Sequence, residues 1–150
     1  MRLLVPPPIQ AAICGGLMWL VAEFVPEFTY VFPGQTYIVA FFVTCGVAID
    51  LVSIRAFSRK KTTISPVSPE NTSSLIIDGI YRYSRNPMYL GLALILTGFG
   101  VWLENLVCLS LVPGFVWYIS KYQIEPEEEV LLEKFEGEYA DYIQRVGRWI

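Results

Sequence analysis

Nine residues, YRYSRNPMY from Tyr81 to Tyr89, carry two arginines, an asparagine and three tyrosines. Further along, Glu127, Glu128 and Glu129 form an acidic run. A guanidinium such as Arg85 can grip a carboxylate through paired hydrogen bonds, or it can anchor the start of the next helix. Arg82 carries the same two readings. Asn86-Pro87 suits a helix start, with Asn as cap and Pro in the first turn. The free N–H groups there could meet an anion. Tyr81, Tyr83 and Tyr89 can stack on a flat ring or sit in an interfacial belt, and Gly91 can admit close approach of a helix or a ligand. The glutamates can neutralise a cation or simply form a solvated face. Together the two stretches suit a ligand that bears both charges and an aromatic part. Arg148 can close over the loop or anchor the tail.

The elements that must position these groups are apolar. The chain has 150 residues, 54% hydrophobic and 17% charged, with no histidine. Cys14, Cys45 and Cys108 lie in apolar segments without ligand-like spacing, so they read as inert thiols. No zinc site and no metal is expected, and a histidine-ligated haem is excluded. Arg2 precedes a long apolar run with no small-residue cleavage site, so the first segment reads as a retained span. Four spans are expected near residues 9–29, 35–57, 87–103 and 106–122, with a loop at 58–86 and a tail at 123–150. Pro26 can kink or end the first. Pro33-Gly34 marks one outer turn and Glu104-Asn105 the other. With the N-terminus in the cytoplasm, every Lys and Arg falls on or beside the inner face. The fold class expected is an all-α integral membrane protein, multi-pass with both termini cytoplasmic (in the inner membrane if bacterial). Asp50 sits inside the second span; an acid there is costly and often functional, or it pairs with Arg55. Glu23 and Glu27 need no function.

In the tail, Leu131, Leu132, Phe135, Tyr139, Tyr142 and Val146 recur at three- and four-residue steps, one face of a helix. Pro126 suits the first turn, with Glu127 and Glu128 at the positive end of the dipole. Gly137 should weaken or bend the middle. This amphipathic cytoplasmic helix can lie on the bilayer or fold back over the loop.

The stretch from Tyr81 to Gly91 closely resembles the signature of membrane methyltransferases related to isoprenylcysteine carboxyl methyltransferase and the phospholipid methyltransferases. Asn86 stands where eukaryotic members usually carry histidine. Thr62, Thr63, Pro66, Leu75 and Gly79 match the family's loop before the signature. Glu127-Glu128, Leu131, Phe135, Tyr139, Tyr142, Arg145-Val146 and Arg148-Trp149 fall at the family's tail spacing. Two departures are Glu136 at the usual glycine place and Gly147 at the usual proline place. The resemblance runs over about residues 61–150 and is only general over the first two spans. It implies S-adenosylmethionine as cofactor, bound by Arg82, Arg85, Asn86, Pro87, Tyr89, Gly91, Glu127, Glu128 and Arg148, with Arg85 and Glu128 also catalytic.

It implies direct in-line methyl transfer to a lipophilic or membrane-associated acceptor, reached from the lipid side. The acceptor's identity and the oligomeric state stay open. A carboxylate or thiolate needs little base help, whereas an amine needs a group such as glutamate to take its proton. Membrane lipids are expected partners and nucleic acid is not. Alternatives are a non-catalytic scaffold or transporter subunit, and a reductase on a related helical framework using a nicotinamide cofactor.

Overall fold

The computed structural model describes residues 5–60 and 75–150, apart from the side chains of 57, 59 and 60. Helix α1, Pro7–Phe24, opens with proline in its first turn, where a missing N–H costs nothing. It stops five residues short of the expected end at 29. Pro26 forces Val25 out of the helical region (φ −130°, ψ 62°) and starts a separate 3₁₀ turn, Pro26–Phe28. Helix α2, Gln35–Lys60, runs three residues past its expected end, since Ser58, Arg59 and Lys60 contain no helix breaker. Thr62, Thr63 and Pro66 lie outside the described residues.

Helices α3, Pro87–Trp102, and α4, Leu106–Ile119, are joined by the tight turn expected at Glu104-Asn105. Glu104 sits at φ 58°. The Asn105 side chain caps α4 by accepting from Val107 N at 2.9 Å and Cys108 N at 3.4 Å.

Hydrogen bonds at both ends fix the order of these helices. At one end Gln35 Nε2 donates to Val101 O at 2.8 Å, and Asn105 Nδ2 donates to Val25 O at 2.7 Å. At the other, Gln10 Nε2 donates to Gln123 Oε1 at 3.1 Å. Thus α1 and α3 begin where α2 and α4 finish, an up-down arrangement in which α3 packs most extensively on α2. Helices α2 and α3 approach backbone to backbone. A Cβ on Gly46 would come within 2.7 Å of Gly91 O, and one on Gly91 would strike the Asp50 carboxylate. Met18, Leu96, Cys108, Phe115 and Ile119 fill the core between α1, α3 and α4.

Much of the apolar surface faces outward. Tyr37 is 81% exposed and Phe41 63%, both on α2. A helix apolar on all faces belongs against other apolar matter, here lipid. Among the described residues one helix, over Gln35–Ala56, is long and apolar enough to cross a membrane, and Pro87–Trp102 is apolar but shorter.

No break separates α4 from the tail. Five π-helical residues, Ser120–Ile124, lead into α5, Glu125–Arg145. The bend expected at Gly137 falls one residue earlier, at Glu136 (φ 34°, ψ −111°), the place where the resembled family carries glycine. The tail folds back over the described end of the loop, residues 75–86. Leu75, Tyr139 and Tyr142 are buried together, with Leu131, Phe135 and Val146 packed around them. Leu132, assigned to the same face from its spacing, is 38% exposed. It stands one position, about 100° round the helix, from the packed row Leu131, Phe135 and Tyr139, which turns it outward.

Candidate active site where the signature meets the tail

The signature reaches the tail through a short 3₁₀ turn, Gly79–Arg82, after which Asn86 and Pro87 start α3. Arg85 N donates to Gly147 O at 3.1 Å, and Asn86 Nδ2 donates to Arg148 O at 3.1 Å. Asn86 holds the cap position without its side chain capping, a correction to its expected role: the amide is committed to the tail. Tyr142 Oη donates to Tyr81 O at 2.6 Å, a further tie between the same segments. Burial pushes the Tyr142 phenol well above its usual range, so it stays a neutral donor.

Two carboxylates lie side by side in sequence but in different surroundings. Glu128 bridges two arginines: Arg85 Nη2 lies 3.0 Å from Oε1, and Arg148 Nη2 lies 2.7 Å from Oε2. The Arg85 side chain is only 8% exposed, and its Nε and Nη1 have no hydrogen-bond partner among the described residues. Buried donors without partners are costly, which makes this guanidinium a candidate contact for a further anionic group.

Glu127 makes no ion pair among the described residues. Its Oε1 accepts from Tyr89 Oη at 2.6 Å and from Gln123 Nε2 at 2.7 Å. Burial raises its carboxyl to about 7, a rise that those two hydrogen bonds oppose and the neighbouring Glu128 charge adds to. A carboxyl poised there can hold or release a proton near neutrality. Glu128 has both oxygens committed to arginines, whereas Glu127 accepts only from a phenol and an amide.

The structure thus gathers Arg85, Asn86, Tyr89, Glu127, Glu128 and Arg148, with Pro87 fully buried beneath them. It does not bring in Arg82, whose exposed side chain meets Asp78 at 3.6 Å. Being near the end of a surface turn, Arg82 has no path inward. Gly91 is the residue that lets α2 approach, not a wall of this cluster. Tyr83 is 76% exposed. Asp50 makes no pair with Arg55 among the described residues; its Oδ1 is buried without a partner against Gly91.

Sequence reasoning missed Gln123 and Gln10, which extend the Glu127 network to α1. Their signal was available: Gln10 is an amide in an otherwise apolar run, which needs a partner. Ser53 was also missed; it is fully buried and hydrogen-bonded with Tyr81.

Residues 35–138 match the family model described as phospholipid methyltransferase. The chain belongs to that family. The match takes in α2, earlier in the chain than the resemblance ran, and it ends before the last turns of the tail. A protein-S-isoprenylcysteine O-methyltransferase of Saccharomyces cerevisiae is 33% identical over 78 residues, 52% of this chain and 33% of its own length. Protein-S-isoprenylcysteine O-methyltransferase B of Arabidopsis thaliana is 27% identical over 132 residues, 84% of this chain and 66% of its own length. An uncharacterized protein of Haemophilus influenzae is 43% identical over 63 residues, all of that protein and 42% of this chain. The chain therefore spans one third to two thirds of the named methyltransferases just given. In this membrane methyltransferase family, the cluster around Arg85 is the candidate for the methyl donor.

Proposed function

We propose that the chain is an S-adenosylmethionine-dependent methyltransferase acting on a lipophilic, membrane-associated acceptor. The observation that carries this is Arg85: an enclosed guanidinium, paired with Glu128, whose other two donors have no partner among the described residues. The residues fit such a donor. Arg85 would hold its carboxylate and Tyr89 its ring system, with Asn86 and Pro87 shaping the floor and Arg148 the roof. Glu128 keeps the two arginines parallel in role by pairing with both. When bound, the sulfonium supplies an already activated methyl group for direct in-line transfer, so no metal is called for.

The chain's own work is then alignment and exclusion of water. The Tyr89–Glu127–Gln123 chain fixes the carboxyl of Glu127, whose poise near 7 lets it take a proton from an amine acceptor. A carboxylate or thiolate acceptor would not need that step. The family and the basic inner-face pattern support four spans, with the loop, the tail and both termini on the cytoplasmic side.

Membranes containing the protein, incubated with methyl-labelled S-adenosylmethionine and extracted, should yield a labelled lipid-soluble product. Labelled product no greater than that of control membranes lacking the protein would refute the reading.

A further inference from the structure

Burying an amide in an apolar helix is costly unless its atoms find partners. Gln10 of α1 meets that requirement only in part. Its Nε2 donates to Val5 O at 2.7 Å and to Gln123 Oε1 at 3.1 Å, while its own Oε1 is buried without a partner among the described residues. An apolar side chain would leave no such orphan. Packing therefore does not explain an amide at this place, and the family match, which begins at residue 35, does not reach it.

The bond to Gln123 has a direction. Gln123 is 2% exposed and lies in the π-helical stretch Ser120–Ile124, a geometry frequent at functional sites. Its Nε2 donates to Glu127 Oε1 at 2.7 Å, one turn further along. A carboxylate oxygen only accepts, so Gln123 must present its N–H there and turn its carbonyl away. Gln10 meets that carbonyl with an N–H. The donors thus run one way, from Gln10 through Gln123 to Glu127, and each bond polarises the next. Tyr89 Oη donates to the same oxygen at 2.6 Å. Both bonds fall on Oε1, and none among the described residues falls on Oε2.

We propose that Gln10 and Gln123 are positioning residues that act through Glu127: they pin Oε1 as the accepting oxygen and leave Oε2 as the one that gains and loses the proton. With an amine acceptor, the N–H bond breaks, its electron pair stays on nitrogen, and the proton joins Oε2. That catalytic meaning rests on the transferase reading; the choice of oxygen does not. The titratable groups that face Glu127 are Tyr89 on α3, Tyr81 in the 3₁₀ turn, and Glu128 and Tyr139 on α5.

Infrared spectra of the purified protein, taken across pH, test this without any substrate. The carbonyl band of protonated Glu127 is the one lost in Glu127→Gln. With the proton on Oε2, that band belongs to Oε1 and is lowered by the bonds it accepts. Gln123→Met should therefore raise its frequency, and Gln10→Met should raise it less. Losing a donor also weakens the charged form, so Gln123→Met should bind the proton at least about three-fold more tightly, about half a pH unit. Gln10→Met should move the midpoint the same way. Ser110→Ala removes a bond to Val107 O on α4, away from this chain of donors, and should change neither. Methionine suits the apolar run of α1, so Gln10→Met carries the test if Gln123→Met does not fold.

A Gln10→Met chain with the wild-type band and midpoint overturns the proposal, since Gln10 would then be only a tie between α1 and the tail. So does an unmoved band in folded Gln123→Met, an equal shift in Ser110→Ala, or the absence of any band that Glu127→Gln removes. Binding of labelled S-adenosylmethionine to the same wild-type sample is read separately. Without it the transferase reading falls, and the spectra still decide which oxygen is pinned.

Discussion

At the scale of single residues, adjacent glutamates are given opposite tasks by their neighbours. Glu128 has both oxygens committed to arginines. Replacing it by Gln would leave Arg85 buried with less compensation, at a cost of about 3–5 kcal/mol. The expected result is a large fall in melting temperature in detergent. Glu127 behaves differently because its folded value, about 7, lies above the ordinary 4.5. The folded chain binds this proton more tightly than the unfolded one. Its contribution is thus complete below about 4.5 and is lost as pH rises toward 7, by at most about 3 kcal/mol. Melting curves across that window should show the wild type losing stability relative to Glu127→Gln; parallel curves would refute the assignment. If the acceptor is an amine, turnover should rise through the same region as the carboxylate form appears.

At the scale of elements, the seam between α2 and α3 and the bend in α5 are the exposed points. Gly91→Ala would drive a methyl group into Asp50 and Gly46 O. A loss of about 1–3 kcal/mol is expected, partly recovered in the double variant with Asp50→Ala and absent if the helices simply part. At Glu136 the backbone is at φ 34°, where glycine is at ease. Glu136→Gly should raise stability by about 1 kcal/mol in thermal unfolding.

The elements themselves were largely legible in the sequence. Prolines and uncharged runs marked the helix starts, and the Glu104-Asn105 turn lay where expected. The stop at Phe24 was less legible because Pro26 allows either a kink or an end. The unbroken passage from α4 into α5 was hidden, since π-helical turns leave no strong sequence mark. In the site, Arg85 and the glutamates were readable as types. Which glutamate would be clamped and which left free depends on tertiary partners more than sixty residues away for Asn86–Arg148 and thirty-eight for Tyr89–Glu127.

At the scale of the whole molecule, the account requires the loop and tail to share one side of the membrane. In a cysteine-free background, cysteines placed at Ser58, Tyr83 and Glu129 should react with a membrane-impermeant reagent only after the inner face is opened. Cysteines at Tyr30 and Glu104 should react in intact cells. All five positions lie at or beside the two bundle ends that the Gln10–Gln123 and Gln35–Val101 bonds define.

The central claim is that Arg85 and its surrounding carboxylates hold a charged methyl donor. Equilibrium binding of labelled S-adenosylmethionine to the purified, folded protein tests it most directly, run beside Arg85→Lys, which keeps the charge but loses the planar donors. The account predicts saturable binding to the wild type, no competition from a nicotinamide dinucleotide, and at least about a ten-fold loss in Arg85→Lys. Folded wild type that shows no saturable binding, or an Arg85→Lys chain that binds equally well, would contradict it.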